Sequence, residues 1–413
     1  MRRRREDKGQ GLLYDGAPPP REVTISDQER DSQRERMSER RKAGRLLELA
    51  DVADLERRER CRTSLLQFCL EYFPVLFYLG FGAMHLEIIH QFQRAIIHGG
   101  KISLVAPRGF GKTTLCRVAI VWALVYGYRK YIVLLCSEAS LANDRLDEIK
   151  DYFEDEDGLL AKDFPELCIP AIGLEGSPQR AAKQLVTWAA VGDQPERIRR
   201  TNMAWGIRDV RFPEVPAPAG VRGPHGEELA PGAPAPGSGS LIVARGLEGS
   251  IRGLVRGKLR PDLCMCDDPQ TDDSARSEIM TASRAAYLRK TIEGMVGPGQ
   301  SLTILAIWTI IEAGDLADQY SSKQQPDYFS MRFKALPEEP ANTYLVEEYI
   351  ARVLGALERE DYDARAAHAW YLLNQEQIEA GARAGWDEAF DRRDVGDESI
   401  TAAFAAAGDR KAS

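Results

Sequence analysis

Histidine is scarce in this chain of 413 residues, with 5 in all, and its 7 cysteines include no Cys-x-x-Cys pair. Neither residue type therefore occurs in the spacing that a structural zinc site uses. The odd cysteine count, with Cys136, Cys264 and Cys266 inside apolar runs, points to reduced interior thiols rather than a disulfide framework. No run of 18 apolar residues is found, so no membrane span is expected. The opening Met1-Arg-Arg-Arg-Arg-Glu6 lacks the apolar core of a secretory signal, which makes a cytoplasmic location the expectation. A surplus of positive charge is missing as well. Lys and Arg number 55 against 63 Asp and Glu, a net charge of −8. The whole chain is then no polycationic coat for nucleic acid, and any DNA contact must come from local patches.

What is present is organised around Ala106-Pro-Arg-Gly-Phe-Gly-Lys-Thr-Thr114. An apolar run, residues 102–105, leads into it, and a helical pattern over 115–124 follows. Strand, glycine loop, Lys-Thr and helix in that order are the context of a phosphate-binding loop. Glycines let successive backbone N–H groups turn inward around phosphate oxygens, and the new helix adds its positive end. The cradle comprises Pro107, Arg108, Gly109, Phe110, Gly111, Lys112, Thr113 and Thr114. Lys112 has the reach for the β- and γ-phosphates of ATP, and the Thr113 hydroxyl suits Mg²⁺. The usual pattern opens on glycine, whereas here Ala106 holds that place. A chance Gly-Lys-Thr before an ordinary helix is the plainer alternative, and the flanking strand and helix argue against it.

A second motif lies about 155 residues downstream, Asp262-Leu-Cys-Met-Cys-Asp-Asp-Pro269. An apolar strand that ends in adjacent carboxylates can hold the water shell of Mg²⁺ with the first and orient an attacking water with the second. Asp267 is assigned to the metal and Asp268 to the water. The competing reading is a strand-end turn with acidic caps, since Asp-Pro opens many turns. Further on, residues 301–309 form another buried strand pattern, and Thr309 ends it where a sensor of the γ-phosphate or attacking water would sit.

The rest of the chain divides by composition. Residues 1–60, dense in Arg, Glu and Asp, read as a charged helical or disordered lead-in. Residues 61–335 read as one α/β domain with a parallel sheet, from alternating strand and helix patterns. A helix is expected over 84–97, where His85 and Glu87 are candidates to flank an adenine base. Strands are expected over 131–136, 184–190 and 241–245, and helices up to 153, over 274–293 and over 311–319. Residues 212–239, rich in Pro, Gly and Ala, read as an exposed loop or hairpin insertion. Between 245 and 260, Arg252, Arg256, Lys258 and Arg260 stand among glycines and can contact phosphate, of nucleic acid or of a neighbouring copy's ATP. Residues 336–413 read as a helical linker and tail, with helices over 344–358 and 364–384 and a frayed end.

Taken together these motifs resemble the large terminase subunit of tailed bacteriophages. The carriers are the loop at 106–113, Gly249-Ser-Ile-Arg-Gly253, Arg260-Pro-Asp-Leu263, Asp267-Asp-Pro-Gln270, and Leu305-Ala-Ile-Trp-Thr309 followed by Gly314-Asp-Leu-Ala317. The resemblance spans about residues 61–390. It implies a P-loop NTPase of the additional-strand, RecA- or terminase-like kind, with helical N- and C-terminal extensions. It implies ATP and Mg²⁺ as cofactors, Asp267 as the Walker B carboxylate, and Arg108 as an arginine that stabilises the γ-phosphate. Asp268 stands where the family often has Glu, and Trp308 where its coupling motif more often has Gly.

The implied activity is ATP hydrolysis that drives double-stranded DNA into a procapsid in the host bacterial cytoplasm. The catalytic set would be Lys112, Asp268, Arg108 and Thr309. The implied partners are double-stranded DNA, a small terminase subunit, a portal protein and a homo-oligomeric ring of copies. The nuclease domain usual in that family is expected to be absent, because about 80 helical residues follow Phe333. Two alternatives stand beside this reading: a defective prophage remnant that binds ATP without efficient turnover, and a helicase-like DNA-dependent ATPase.

Overall fold

The computed structural model describes residues 46–188, 197–247, 254, 259–295, 301–322, 325–334, 337–338, 340–357, 365–382 and 386. In chain order the elements are β1 (Leu46–Glu48), α1 (Leu55–Arg62), α2 (Leu65–Tyr72), α3 (Ala83–His98), β2 (Lys101–Val105), α4 (Lys112–Val125), β3 (Tyr131–Cys136) and α5 (Ala139–Glu154). Then come α6 (Leu159–Asp163), α7 (Pro165–Ile172), β4 (Leu185–Trp188), β5 (Arg197–Arg200), β6 (Ala204–Trp205), β7 (Asp209–Arg211) and β8 (Leu241–Gly246). The last are β9 (Leu263–Asp267), α8 (Asp272–Ala275), α9 (Glu278–Met295), β10 (Thr303–Trp308), α10 (Leu316–Tyr320), β11 (Phe329–Arg332), α11 (Thr343–Leu357) and α12 (Arg365–Glu379).

An eight-stranded sheet runs in the order β11-β2-β10-β9-β3-β8-β7-β6. Its strands are parallel from β11 through β8, while β7 and β6 form an antiparallel edge. Strands buried on both faces need apolar side chains at every position, which is why the central ones read as unbroken runs. Every residue of β3 and β10 is buried. The two faces separate by the strand period of two. Ile132, Leu134 and Cys136 pack with α2 through α7, and Tyr131, Val133 and Leu135 pack with α9 and α10. Helix α4 lies inside the first of these layers, with residues 118–125 all buried. A helix that is apolar on every side belongs in such an interior position.

Residues 46–60, counted in the lead-in on their charge, belong to this packed unit. Arg58 is 4 % exposed, and its partners Asp163 and Glu166 lie more than 100 residues away. Residues 1–45 of the expected lead-in lie outside the described residues. The Pro-rich stretch 212–239 does fold back on itself as expected, through bridges at Pro216–Pro234 and Arg222–Glu228. It is less exposed than its composition suggests, since Val215 and Ala235 pack with Leu49 and Val186 in a small core of their own. The helix expected over 274–293 is interrupted. Thr271 and Ser274 cap a short first turn, α8, before α9 begins. The helix expected from 311 starts only at Leu316, because Asp315 caps it through the Asp318 N–H. Strand β11 had no apolar signature to read: it is an edge strand in which Met331 alone is buried.

All seven cysteines are buried and unpaired, in line with reduced interior thiols. Among the described residues no helix is long and apolar enough to cross a membrane.

Candidate functional site

The parallel register brings three strand ends together. Val105 of β2 lies beside Trp308 of β10, and Ile307 lies beside Asp267 of β9. The next residues along these strands, Ala106, Thr309 and Asp268, therefore share one edge of the sheet. Carboxyl ends of strands in open α/β sheets form the crevice where ligands bind.

The loop after β2 turns through Gly109 and Gly111, at φ +80° and +63°. No atom would crowd a Cβ at either place, so the requirement for glycine is conformational rather than steric. Gly111 ends the loop as the left-handed N-cap of α4. The Phe110 ring is buried, and its carbonyl meets His85 Nε2 at 3.3 Å. His85 Nδ1 accepts the Gly82 N–H at 3.2 Å, which leaves the proton on Nε2 to be donated to Phe110. His85 thus braces the loop from behind rather than flanking a base. Glu87 instead accepts from Gln91 at 2.8 Å. Trp386 also braces the loop: its ring lies 4.5 Å from that of His85 and 5.9 Å from that of Phe110.

Lys112 is buried and donates to the carbonyls of Ala106 and Pro107, each at 2.7 Å. Its ammonium is therefore held across the mouth of the loop. Burial pulls its pKa down, and Asp268 and Asp267 oppose that pull. Thr113 Oγ1 donates to Asp267 Oδ1 at 3.1 Å, across 154 residues of chain. Thr114 accepts from Arg117 at 3.2 Å.

Asp267 is 4 % exposed. Burial, with Asp268 adding to it, pushes its pKa up to about 6, while Arg145, Thr113 and Lys112 hold the rise back. Asp268 sits at φ +43°, a left-handed conformation that costs a non-glycine residue on the order of 1 kcal/mol. Its N–H continues the ladder to the Ile307 carbonyl at 3.1 Å, and its Oδ2 accepts from the Thr309 hydroxyl at 3.2 Å. Burial raises its pKa too, opposed by Lys112 and by the Thr309 hydroxyl. Asp268 Oδ1 is buried and has no hydrogen-bond partner among the described residues.

Two of the sequence-predicted residues stand differently. Arg108 points outward, 70 % exposed at the side chain, and pairs with Asp272 at 3.1 Å. Trp308 is fully buried, donates to Ser103 Oγ at 3.0 Å and stacks on Tyr320 at 5.1 Å. It is a packing residue between β10 and α10. Of the basic residues expected near the site, Arg252, Arg256 and Lys258 lie outside the described residues, as does the Gly249–Gly253 motif. Arg245 is bound to Asp209 at 2.8 Å.

Two residues given no role in the sequence stand behind this front row. Gln270 donates to the Thr309 carbonyl at 2.9 Å and to Asp315 Oδ2 at 3.0 Å, and accepts from the Leu316 N–H at 3.1 Å. It ties the turn after Asp268 to the Gly314-Asp-Leu-Ala317 segment. Arg145 on α5 approaches Asp267 Oδ2 at 3.3 Å. Gln270 stands in the Asp267-Asp-Pro-Gln270 motif without an assigned role and Arg145 in no local spacing pattern, and only the folded chain shows what each touches.

Among the described residues no group of three or more His, Cys, Asp or Glu side chains is disposed to hold a metal ion. The set of Thr113, Asp267 and Asp268 suits a cation of another kind. Mg²⁺ keeps most of its shell in water and phosphate and takes one or two carboxylates from the protein. The raised pKa of Asp267 and the unpartnered Asp268 Oδ1 mark charge and acceptor capacity that a cation with its waters would satisfy. No protein-family model matches the chain, and no curated protein matches it.

Proposed function

We propose that this chain is a P-loop ATPase of the large-terminase kind, which couples ATP hydrolysis to movement of double-stranded DNA. The observation that carries the reading is the 3.1 Å contact between Thr113 and Asp267, which joins the two motifs at one sheet edge. The strand order supports it, because β10 lies between the loop strand β2 and the carboxylate strand β9. An inserted strand of that kind is what the additional-strand class requires.

In this reading the N–H groups around Gly109 and Gly111 and the first turn of α4 bind the phosphates. Lys112 exchanges the Ala106 and Pro107 carbonyls for phosphate oxygens and neutralises charge that grows on the γ-phosphate. Thr113 and Asp267 would hold Mg²⁺, which supplies further neutralisation when bound. Asp268 orients the attacking water and takes up its proton; a carboxylate whose pKa is raised by burial is a stronger base than an exposed one. Thr309 fixes the free direction of that carboxylate through its hydroxyl. Arg108, free at the surface apart from one exposed ion pair, has the freedom to turn onto the γ-phosphate. The partners in this reading are double-stranded DNA, a small terminase subunit, a portal protein and further copies of the chain in a ring.

The test is DNA-stimulated ATP hydrolysis by the purified chain. Lys112→Ala is expected to lower the rate by on the order of 10²–10³-fold. Equal rates for the two proteins would remove the enzymatic reading.

A further inference from the structure

We infer that Arg145 is a positioning residue for Asp267, held in place by a ring of alternating charges that closes between the two motifs. The ring starts in the loop helix, where Arg117 Nη2 donates to Thr114 Oγ1 at 3.2 Å. Arg117 Nη1 meets Glu148 Oε2 at 2.5 Å. Glu148 takes Arg145 Nη1 on both oxygens, at 3.2 and 3.1 Å. Arg145 Nε then lies 3.3 Å from Asp267 Oδ2, an ion pair without hydrogen-bond geometry. Asp267 Oδ1 returns to Thr113, the neighbour of Thr114. Helix α5 thus clamps β9 to α4, through side chains that lie 37 % exposed at most.

The geometry divides the work of one carboxylate. Oδ2 faces a guanidinium and Oδ1 faces the hydroxyl that would share Mg²⁺. A cation beside a metal-binding carboxylate would by itself oppose a metal. Here Glu148 neutralises Arg145 and Arg117 neutralises Glu148, so the ring of Arg117, Glu148, Arg145 and Asp267 sums to no charge. What Arg145 then contributes is direction: it selects which oxygen is left for the metal. Partners that orient ligating carboxylates are typically worth about 10–100-fold in metal affinity.

This inference rests on the nucleotide–Mg²⁺ reading of the site, so the experiment separates the two. ADP affinity is measured by calorimetry on the full chain, once with EDTA and once with Mg²⁺, for the wild type, Arg145→Gln, Arg145→Lys and Glu148→Gln. If the wild type binds no ADP in either condition, the reading of the site fails, and this inference with it. If it does bind, Arg145→Gln is expected to keep the EDTA affinity within about twofold and to lose about tenfold of the gain that Mg²⁺ gives. Glu148→Gln, which touches neither Asp267 nor the loop, loses a smaller share of the same gain. Arg145→Lys restores part of it, since a single ammonium replaces the charge but not the planar fork. An unchanged Mg²⁺ gain in Arg145→Gln would overturn the assignment. So would an equal loss in EDTA and in Mg²⁺, because Arg145 would then be touching phosphate or supporting the fold in general. Should Arg145→Gln fail to fold, the Glu148→Gln result decides by the same criterion.

Discussion

Beside α1, two arginines and two carboxylates are saturated with partners; at the ends of β2, β9 and β10, buried charges are not. Asp163 accepts from Arg57 Nε and Nη2, from the Tyr72 hydroxyl and from the Asp54 N–H, all within 3.1 Å. Arg58 grips Glu166 at 2.6 and 3.2 Å, donates to the Asp163 carbonyl at 2.7 Å and lies over the Phe164 ring. The Asp163 hydrogen bond drives the Arg57 pKa up, so the guanidinium is stabilised in its charged form. At the strand ends the directions reverse. Burial raises Asp267 and Asp268 and lowers Lys112, so each is pushed toward neutrality. Both regions pay for desolvation, but the first recovers it within the chain. The second holds an unsatisfied oxygen, a left-handed Asp268 and an ammonium parked on two carbonyls, features that mark it as a candidate site.

The largest effect should come from breaking the saturated set. Glu166→Ala leaves Arg58 buried without its carboxylate, and a loss of about 3–5 kcal/mol in denaturant unfolding is expected. A change below 1 kcal/mol would mean that the pair is dispensable and the contrast false. In the second region the sign should invert. Asp267→Asn removes a carboxylate that the folded chain disfavours, so a gain of about 1–2 kcal/mol in ligand-free stability is expected at pH 8, after allowance for weaker contacts to Thr113 and Arg145.

The pH dependence of that gain follows from linkage. The folded pKa of Asp267, about 6, lies above the ordinary 3.8. Between those values the folded chain binds more protons than the unfolded one, so the wild type gains stability as pH falls through 6 toward 4. The advantage of Asp267→Asn should therefore be full above pH 6 and shrink below it. An advantage that grew on acidification would show that Asp267 is stabilised as a carboxylate. Lys112→Ala sharpens the contrast further: its melting temperature should stay within about 2 °C of the wild type while hydrolysis collapses. The smallest effect belongs to Asp272→Asn, which frees exposed Arg108. Exposed ion pairs contribute about 0–1 kcal/mol, and thermal unfolding should shift by no more than about 0.5 kcal/mol.

The strands β2, β3, β9 and β10 were legible because two-sided burial demands continuous apolar runs, and the glycine turn between β2 and α4 because its glycines and Lys-Thr are contiguous. Asp267 and Asp268 were legible as a strand that ends in charge. The saturated cluster was not. Arg57 and Arg58 sit in a stretch whose charge density resembles a solvated lead-in, and their partners lie more than 100 residues on. Trp308 was read against a family pattern and turned out to be a packing residue held by Ser103, 205 positions away. Arg145 carries no local signal, since an arginine on an amphipathic helix is ordinary, and Gln270 stood in a quoted motif whose spacing does not show that it ties Thr309 to Asp315.

Local order along the chain thus determined which peptide segments could form strands, where a backbone nest could open, and which side chains at its edge carry charge. Those properties depend on residues within a few positions of one another, through backbone sterics and the alternation of side chains. Tertiary structure alone decided that β10 separates β2 from β9, that Thr113 meets Asp267, and that one set of buried charges is neutralised while the other is left open. Pairing between charges is a matter of distance in space, and a difference of 100 or 150 positions in sequence says nothing about it until the sheet has chosen its strand order.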